Sequence, residues 1–233
     1  MLLPNLKICG ITTRETARFC AEGGVGALGV VFFKKSPRYV NPQRARTLFE
    51  GLPAHVARVG VFVDLPSEEL IAIAKEAVLD TVQLHGNETL DTINDAQAAG
   101  FHVIKVLKVT GQKLLEAARP IPATAGILVE CGAGVLPGGN GAVWNWADAA
   151  LLAELRPFAV AGGLNPKNIA EAARLSNAAA WDVSSGVEIA PGIKDHGAIL
   201  DLLAAAQKTE SSNHTPFWKV RRLAAPKASQ SEA

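Results

Sequence analysis

The stretch FAVAGGLNPKNIAEAARLSNAAAWDVSSG, residues 158–186, holds a strand, a turn, a helix and a second strand in one line. Its apolar run at 158–161 breaks at Gly162-Gly163, and Asn165-Pro166 opens an amphipathic segment that reaches residue 175. A second β-rich run at 181–184 then ends at Ser185-Gly186. A helix between two strands implies parallel strands joined by a right-handed crossover. The same unit recurs along the rest of the chain. Strand patterns fall at residues 7–11, 27–33, 59–63, 81–85, 103–108, 126–130, 158–161 and 181–184. Helical patterns fall at 14–21, 43–52, 70–78, 88–99, 112–118, 147–155, 166–175 and 196–207. Several carry start signals: Thr13, Pro42, and Ser67 followed by Glu68-Glu69.

Eight units with no linker between them predict one closed (β/α)8 TIM barrel over residues 1–208. A doubly wound sheet fits less well, because no GxGxxG turn opens the first helix. The 233 residues suit a fold that typically needs ~250. Residues 209–233 are rich in Ser, Ala, Lys and Pro and read as a polar, mobile C-terminal tail, with Phe217-Trp218 as an aromatic pair able to dock.

With 48% hydrophobic and 19% charged residues, the chain can bury a core and is not of disordered composition. Lys and Arg total 23 against 22 Asp and Glu, a net charge of +1, which argues against a nucleic-acid partner held by bulk charge. An anionic ligand must therefore meet a local site. The cysteines, Cys9, Cys20 and Cys131, show neither CxxC nor metal-ligand spacing and are expected as reduced thiols with no metal. The longest apolar run, 25–33, falls short of the ~20 residues of a membrane span, and Met1 to Asn5 lack a leader pattern. These features predict a cytoplasmic protein with no membrane partner. No apolar stripe is left once the helices face the barrel, which predicts a monomer.

Barrel enzymes work at the C-terminal ends of their strands. Side chains two apart share a strand face, which pairs Lys7 with Cys9, Gln83 with His85 and Leu128 with Glu130. Cys9 is a small residue that would pack well in a core, but its place at a strand tip favours chemistry. His85 fits a structural and a functional role equally. A carboxylate at Glu130, closing an apolar run, must be solvated, paired or useful, since an unpaired buried charge is expensive. Gly162 and Gly163 after the seventh strand, with Ser185 and Gly186 after the eighth, match the two loops where barrels bind phosphate through backbone N–H groups. The Gly-rich loop at 136–141 is flexible enough to close over a ligand. Asp182 and Lys7 fall on neighbouring strands of a closed barrel and are expected to form an internal ion pair that favours a Cys9 thiolate. Arg38, after Ser36-Pro37, offers a planar fork for a carboxylate.

Lys7-Ile8-Cys9-Gly10-Ile11-Thr12, Lys35-Ser36-Pro37-Arg38, Gly60-Val61-Phe62-Val63, Val82-Gln83-Leu84-His85-Gly86, Pro137-Gly138-Gly139-Asn140-Gly141, Ala161-Gly162-Gly163-Leu164-Asn165-Pro166 and Asp182-Val183-Ser184-Ser185-Gly186-Val187-Glu188 occur in one order. In that order, over residues 5 to 205, the chain resembles the phosphoribosylanthranilate isomerases of tryptophan biosynthesis. The resemblance implies an Amadori rearrangement of a phosphorylated small molecule with no cofactor. Cys9 would be the general base and Glu130 the general acid. Arg38 would bind the anthranilate carboxylate, Gly162, Gly163, Ser185 and Gly186 the phosphate, and His85 and Asp182 would line the pocket. Two positions depart from the family pattern: Glu130 stands where an aspartate is usual, and Trp144-Asn145-Trp146 replaces Phe-Asp-Trp, at an expected cost of about 0.5 to 1 kcal/mol in helix capping. Glu130 and the loop after it leave a non-catalytic or differently specific phosphate-binding barrel as the alternative.

Overall fold

A computed structural model describes residues 2–108, 111–130, 144–209 and 216–221. The barrel strands are β1 (Leu3–Ile8), β2 (Val25–Val31), β3 (Ala57–Phe62), β4 (Thr81–Leu84), β5 (His102–Leu107), β6 (Gly126–Val129), β7 (Ala159–Val160) and β8 (Ala180–Val183). Each pairs in parallel with the next, and β8 closes on β1 with Lys7 opposite Asp182. Alternation sorts their side chains. Leu6, Ile8, Val82, Leu84, Ile127, Val129, Trp181 and Val183 face the helices in the main core. Ala27, Ala57, Val59, Leu128, Ala159 and Ala180 fill the barrel interior.

The helices are α1 (Arg14–Glu22), α2 (Pro42–Phe49), α3 (Ser67–Glu76), α4 (Leu90–Ala98), α5 (Gln112–Ala118), α6 (Ile169–Ser176) and α7 (His196–Gln207). Their caps follow the sequence signals. Thr13 accepts from the Thr16 amide, Asn41 from Arg44 ahead of Pro42, and Asp195 from Gly197 and Ala198. Each such cap satisfies a backbone donor that has no intrahelical partner.

Two elements differ from the sequence expectation. The segment expected as a helix at 147–155 winds as a 3₁₀ helix over Trp146–Glu154. Its buried residues, Trp146, Ala149 and Leu152, recur every third position, the period at which a 3₁₀ helix keeps one face inward. Asn145, in place of the family's aspartate, caps it by accepting from the Ala147 amide at 3.3 Å. Second, a ribbon of β9 (Glu188–Ala190) and β10 (Ile193–Lys194) follows β8 and turns through Gly192 at φ +84. The aromatic pair Phe217-Trp218 docks, as expected of it, and carries residues 216–221 onto the N-terminal face of the barrel. Cys131, the loop at 136–141 and the rest of the tail lie outside the described residues.

Candidate active site

The sequence placed the functional side chains on the last residues of the strands. Cys9, His85 and Glu130 stand one residue beyond, because β1 ends at Ile8, β4 at Leu84 and β6 at Val129, whereas Asp182 lies within β8. Their backbones remain tied to the ladder all the same. The amides of Cys9, His85, Glu130 and Ala161 donate to Val183, Phe62, Leu107 and Val129 at 2.8, 2.9, 3.0 and 2.9 Å. The working groups thus sit on a rigid rim. Cys9, Arg38, His85, Glu130, Gly162, Gly163, Asp182 and Ser185 all line one pocket there, with Gln83 beside them. Gly186 packs behind the wall.

On the β1 side, Lys7 is fully buried and its Nζ lies 2.6 Å from Asp182 Oδ2, the ion pair expected from barrel closure. A Cβ on Gly29 would meet Cys9 Sγ and Lys7 Cε at 2.9 Å each and Lys7 Nζ at 3.1 Å. The thiol and the ammonium therefore share the space that the missing side chain of Gly29 leaves open. Burial alone would lower the Lys7 pKa, but Asp182 and Cys9 outweigh it and hold it above the usual value. For Cys9 the balance differs from the sequence expectation. Burial pushes the thiol up, Lys7 and Lys194 pull it down, Asp182 pushes it up, and it stays raised. A lysine beneath the sulfur thus limits the rise without producing a thiolate outright. Cys20, in the helix layer without Lys7, is pushed up to about 12 by its burial.

Glu130, on the rim three strands away round the ring, is gripped from β4. His85 Nε2 lies 2.7 Å from Glu130 Oε2, and Gln83 Nε2 lies 3.4 Å from His85 Nδ1. An amide donor at Nδ1 leaves the ring proton on Nε2, so His85 donates to Glu130 and fixes its carboxyl group. Glu130 Oε1 remains for a ligand. Asp182 Oδ1 and Gln83 Oε1 are buried acceptors without a protein partner among the described residues, so hydroxyl groups of a ligand would satisfy them.

Arg38 already holds a carboxylate of the chain itself. Its Nε and Nη2 donate to Glu188 Oε1 and Oε2 at 2.9 and 2.6 Å, and Lys194 Nζ donates to Glu188 Oε1 at 2.7 Å. Burial would raise the Glu188 pKa, but Arg38 and Lys194 outweigh it and keep it below the ordinary value. Glu188 closes one of the motifs quoted from the sequence, but neither it nor Lys194 was given a role there. The signal that could have found them is Pro191-Gly192, a turn dipeptide that folds the two residues onto one ribbon.

The two glycine loops come together. Gly162 and Gly163 adopt φ +86 and +68, conformations that an L side chain resists, and Ser185–Val187 forms one 3₁₀ turn after β8. Gly186 serves through contact: a Cβ there would stand 1.9 Å from the Leu164 carbonyl oxygen. Substitution of Gly186 by valine should therefore force the two loops apart. We expect the Michaelis constant to rise at least about tenfold, as for a lost anion-binding geometry. Competition by inorganic phosphate, measured by titration, should weaken in parallel. Unchanged values for both would show that phosphate binds elsewhere.

A closed parallel barrel with a thiol, a carboxylate and two apposed glycine loops at its C-terminal mouth has the layout of the phosphate-binding barrel enzymes. Among the described residues no cluster of His, Cys, Asp or Glu could hold a metal ion, and no helix is long and apolar enough to cross a membrane. Residues 6–205 match the family model described as N-(5'phosphoribosyl)anthranilate (PRA) isomerase, and the chain belongs to that family of isomerases. The N-(5'-phosphoribosyl)anthranilate isomerase of Paramagnetospirillum magneticum is 43% identical over 209 residues, covering 87% of this chain and 97% of the relative. The crystal structure of phosphoribosyl anthranilate isomerase from Thermotoga maritima superposes with a TM-score of 0.81 at 36% identity, over 89% of this chain and all of that one. Another phosphoribosyl anthranilate isomerase, solved with reduced 1-(o-carboxyphenylamino)-1-deoxyribulose 5-phosphate, gives 0.76 at 35% identity, over 89% of this chain and all of that one.

Proposed function

We propose that the chain converts N-(5-phosphoribosyl)anthranilate into 1-(2-carboxyphenylamino)-1-deoxyribulose 5-phosphate, an Amadori rearrangement in tryptophan biosynthesis. The observation that carries this reading is the joint placement of Cys9 and Glu130 on one rim pocket whose other wall is the double glycine loop. Family membership and a relative solved with the reduced product support it.

The phosphate lies on the N–H groups of Gly162, Gly163, Ser185 and Gly186, which fixes the sugar at one end. With Nε and Nη2 on Glu188, Arg38 offers Nη1 to the anthranilate carboxylate at the other end. Glu130 gives its proton to the furanose ring oxygen. The anilino nitrogen's lone pair expels that oxygen, and the ring opens to a protonated Schiff base. Cys9, as thiolate, then takes the proton from sugar C2, and the electron pair moves to the nitrogen to give an enolamine. Tautomerisation places a proton on C1 and forms the C2 ketone, so the rearrangement is redox-neutral overall. Asp182 Oδ1 accepts from a sugar hydroxyl and holds C2 over the sulfur.

The thiol chemistry of Cys9 suits a reducing cytosol. A turnover assay that follows loss of anthranilate-type fluorescence tests the activity. Binding of a product analogue without turnover would instead favour a non-catalytic barrel.

A further inference from the structure

The family match ends at residue 205, yet residues 216–221 reach into the barrel. Trp218 is 3% exposed and packs with Ala27, Ala57, Ala159 and Ala180, four small residues from β2, β3, β7 and β8. Large branched side chains usually fill such layers. Here the alanines leave room, and the indole occupies it. The ring is pinned from two sides: its Nε1 donates to the Asn5 carbonyl at 3.0 Å, and the Phe217 amide donates to Asn5 Oδ1 at 3.0 Å. Phe217 lies over Gly126, where a Cβ would come within 3.1 Å of its ring. Lys219 and Arg221 complete the strap. The Lys219 carbonyl accepts from Thr81 Oγ1 at 3.2 Å, and the Arg221 amide donates to Asp80 Oδ1 at 3.0 Å.

What the indole touches from below is Lys7. Its Nζ stands 5.6 Å from the Trp218 ring centroid, within cation–π range, while Asp182 holds the same Nζ at 2.6 Å. Lys7 is therefore held from two directions next to Cys9, and the ring fills the barrel floor beneath it. We propose that Trp218 is a positioning residue for the isomerase reaction, acting through Lys7: it seals the barrel floor and holds the ammonium against the Cys9 sulfur. In low dielectric that charge acts strongly on the thiol, whereas water at the floor would screen it. The C-terminal segment thus completes the catalytic base from the side of the barrel opposite the substrate.

The assignment rests on Cys9 as the base, and the test separates the two ideas. Trp218→Leu keeps an apolar side chain in the space but lacks an aromatic face, and Trp218→Phe keeps the face. The leucine variant should lower kcat about tenfold with KM within about twofold, and the phenylalanine variant should restore most of it. Alkylation of Cys9 by iodoacetamide at fixed pH, read at the peptide level by mass spectrometry, should slow at least about threefold in the leucine variant, because less thiolate is present. In a Lys7→Gln background the leucine change should add nothing further to either readout. Parent-like kcat and Cys9 alkylation in a folded Trp218→Leu protein would overturn the proposal, as would losses that add to those of Lys7→Gln. An inactive parent would defeat the isomerase reading instead, and Cys9 alkylation would still decide the role of Trp218.

Discussion

Replacement of Cys9 by alanine should abolish turnover while the barrel stays folded. A positioned general base supplies ~10² to 10⁴-fold, so its loss raises the barrier by about 3 to 5 kcal/mol. The structural cost is small, because only a sulfur is removed and the Cys9 amide keeps its 2.8 Å bond to Val183. Thermal unfolding close to the parent's, alongside kcat reduced at least about 10²-fold, is the expected result. More than about a tenth of parental activity would remove Cys9 from the base role, since that leaves less than about 1.4 kcal/mol to it. The pH profile gives a second check. Burial keeps the thiol above its ordinary value despite Lys7 and Lys194, and the base works only as thiolate. The kcat/KM should therefore climb as pH rises from about 7 towards 9, since deprotonation creates the active form. Lys7→Gln removes a charge that lowers the thiol and should move that limb to higher pH. A limb that stays in place would separate Lys7 from the thiol.

The barrel is legible in the sequence because its signal is repeated: eight strand patterns and eight helical ones agree, and errors of one or two residues at the ends do not change the topology. The strand tips are legible because alternation is strict, so the residue pattern alone matches Lys7 with Asp182 across the closure. Other features leave weaker marks. Glu188 and Lys194 look like ordinary surface charges until the ribbon folds them under Arg38, a contact spanning 150 residues of chain. The 3₁₀ winding of Trp146–Glu154 follows from a three-residue spacing that also fits an α-helix over so short a span. Trp218 stands in a polar segment, and its place in the core depends on alanines scattered over four strands. No local pattern records such a cavity. The raised thiol of Cys9 escapes a sequence reading for a related reason: the sequence shows the lysine beside it but not the extent of its burial.

Glu130 carries the second large effect, and its geometry explains how a longer acid can stand at this position. One extra methylene could carry the carboxyl oxygen about 1 Å from where an aspartate would place it, and a misplacement of that size can cost ~10²-fold in rate. Here the carboxyl group is tied back to β4 through His85 at 2.7 Å, with Gln83 behind the ring, so the longer stem is not free to wander. Glu130→Gln keeps the shape and still accepts from His85 through its carbonyl oxygen, but it has no acidic proton to give. Its turnover number should fall at least about 10²-fold, with a smaller change in substrate affinity, as expected when an interaction made only in the transition state is lost. Glu130→Asp withdraws the carboxyl group from His85 but places it where a shorter acid would sit; it should keep measurable activity. Removing the tether by His85→Ala should then harm the parent more than the Glu130→Asp variant, because only the longer side chain depends on being held. Parental turnover in Glu130→Gln would exclude the residue as the acid. Equal losses from His85→Ala in both backgrounds would show that His85 serves the reaction by a route other than positioning Glu130.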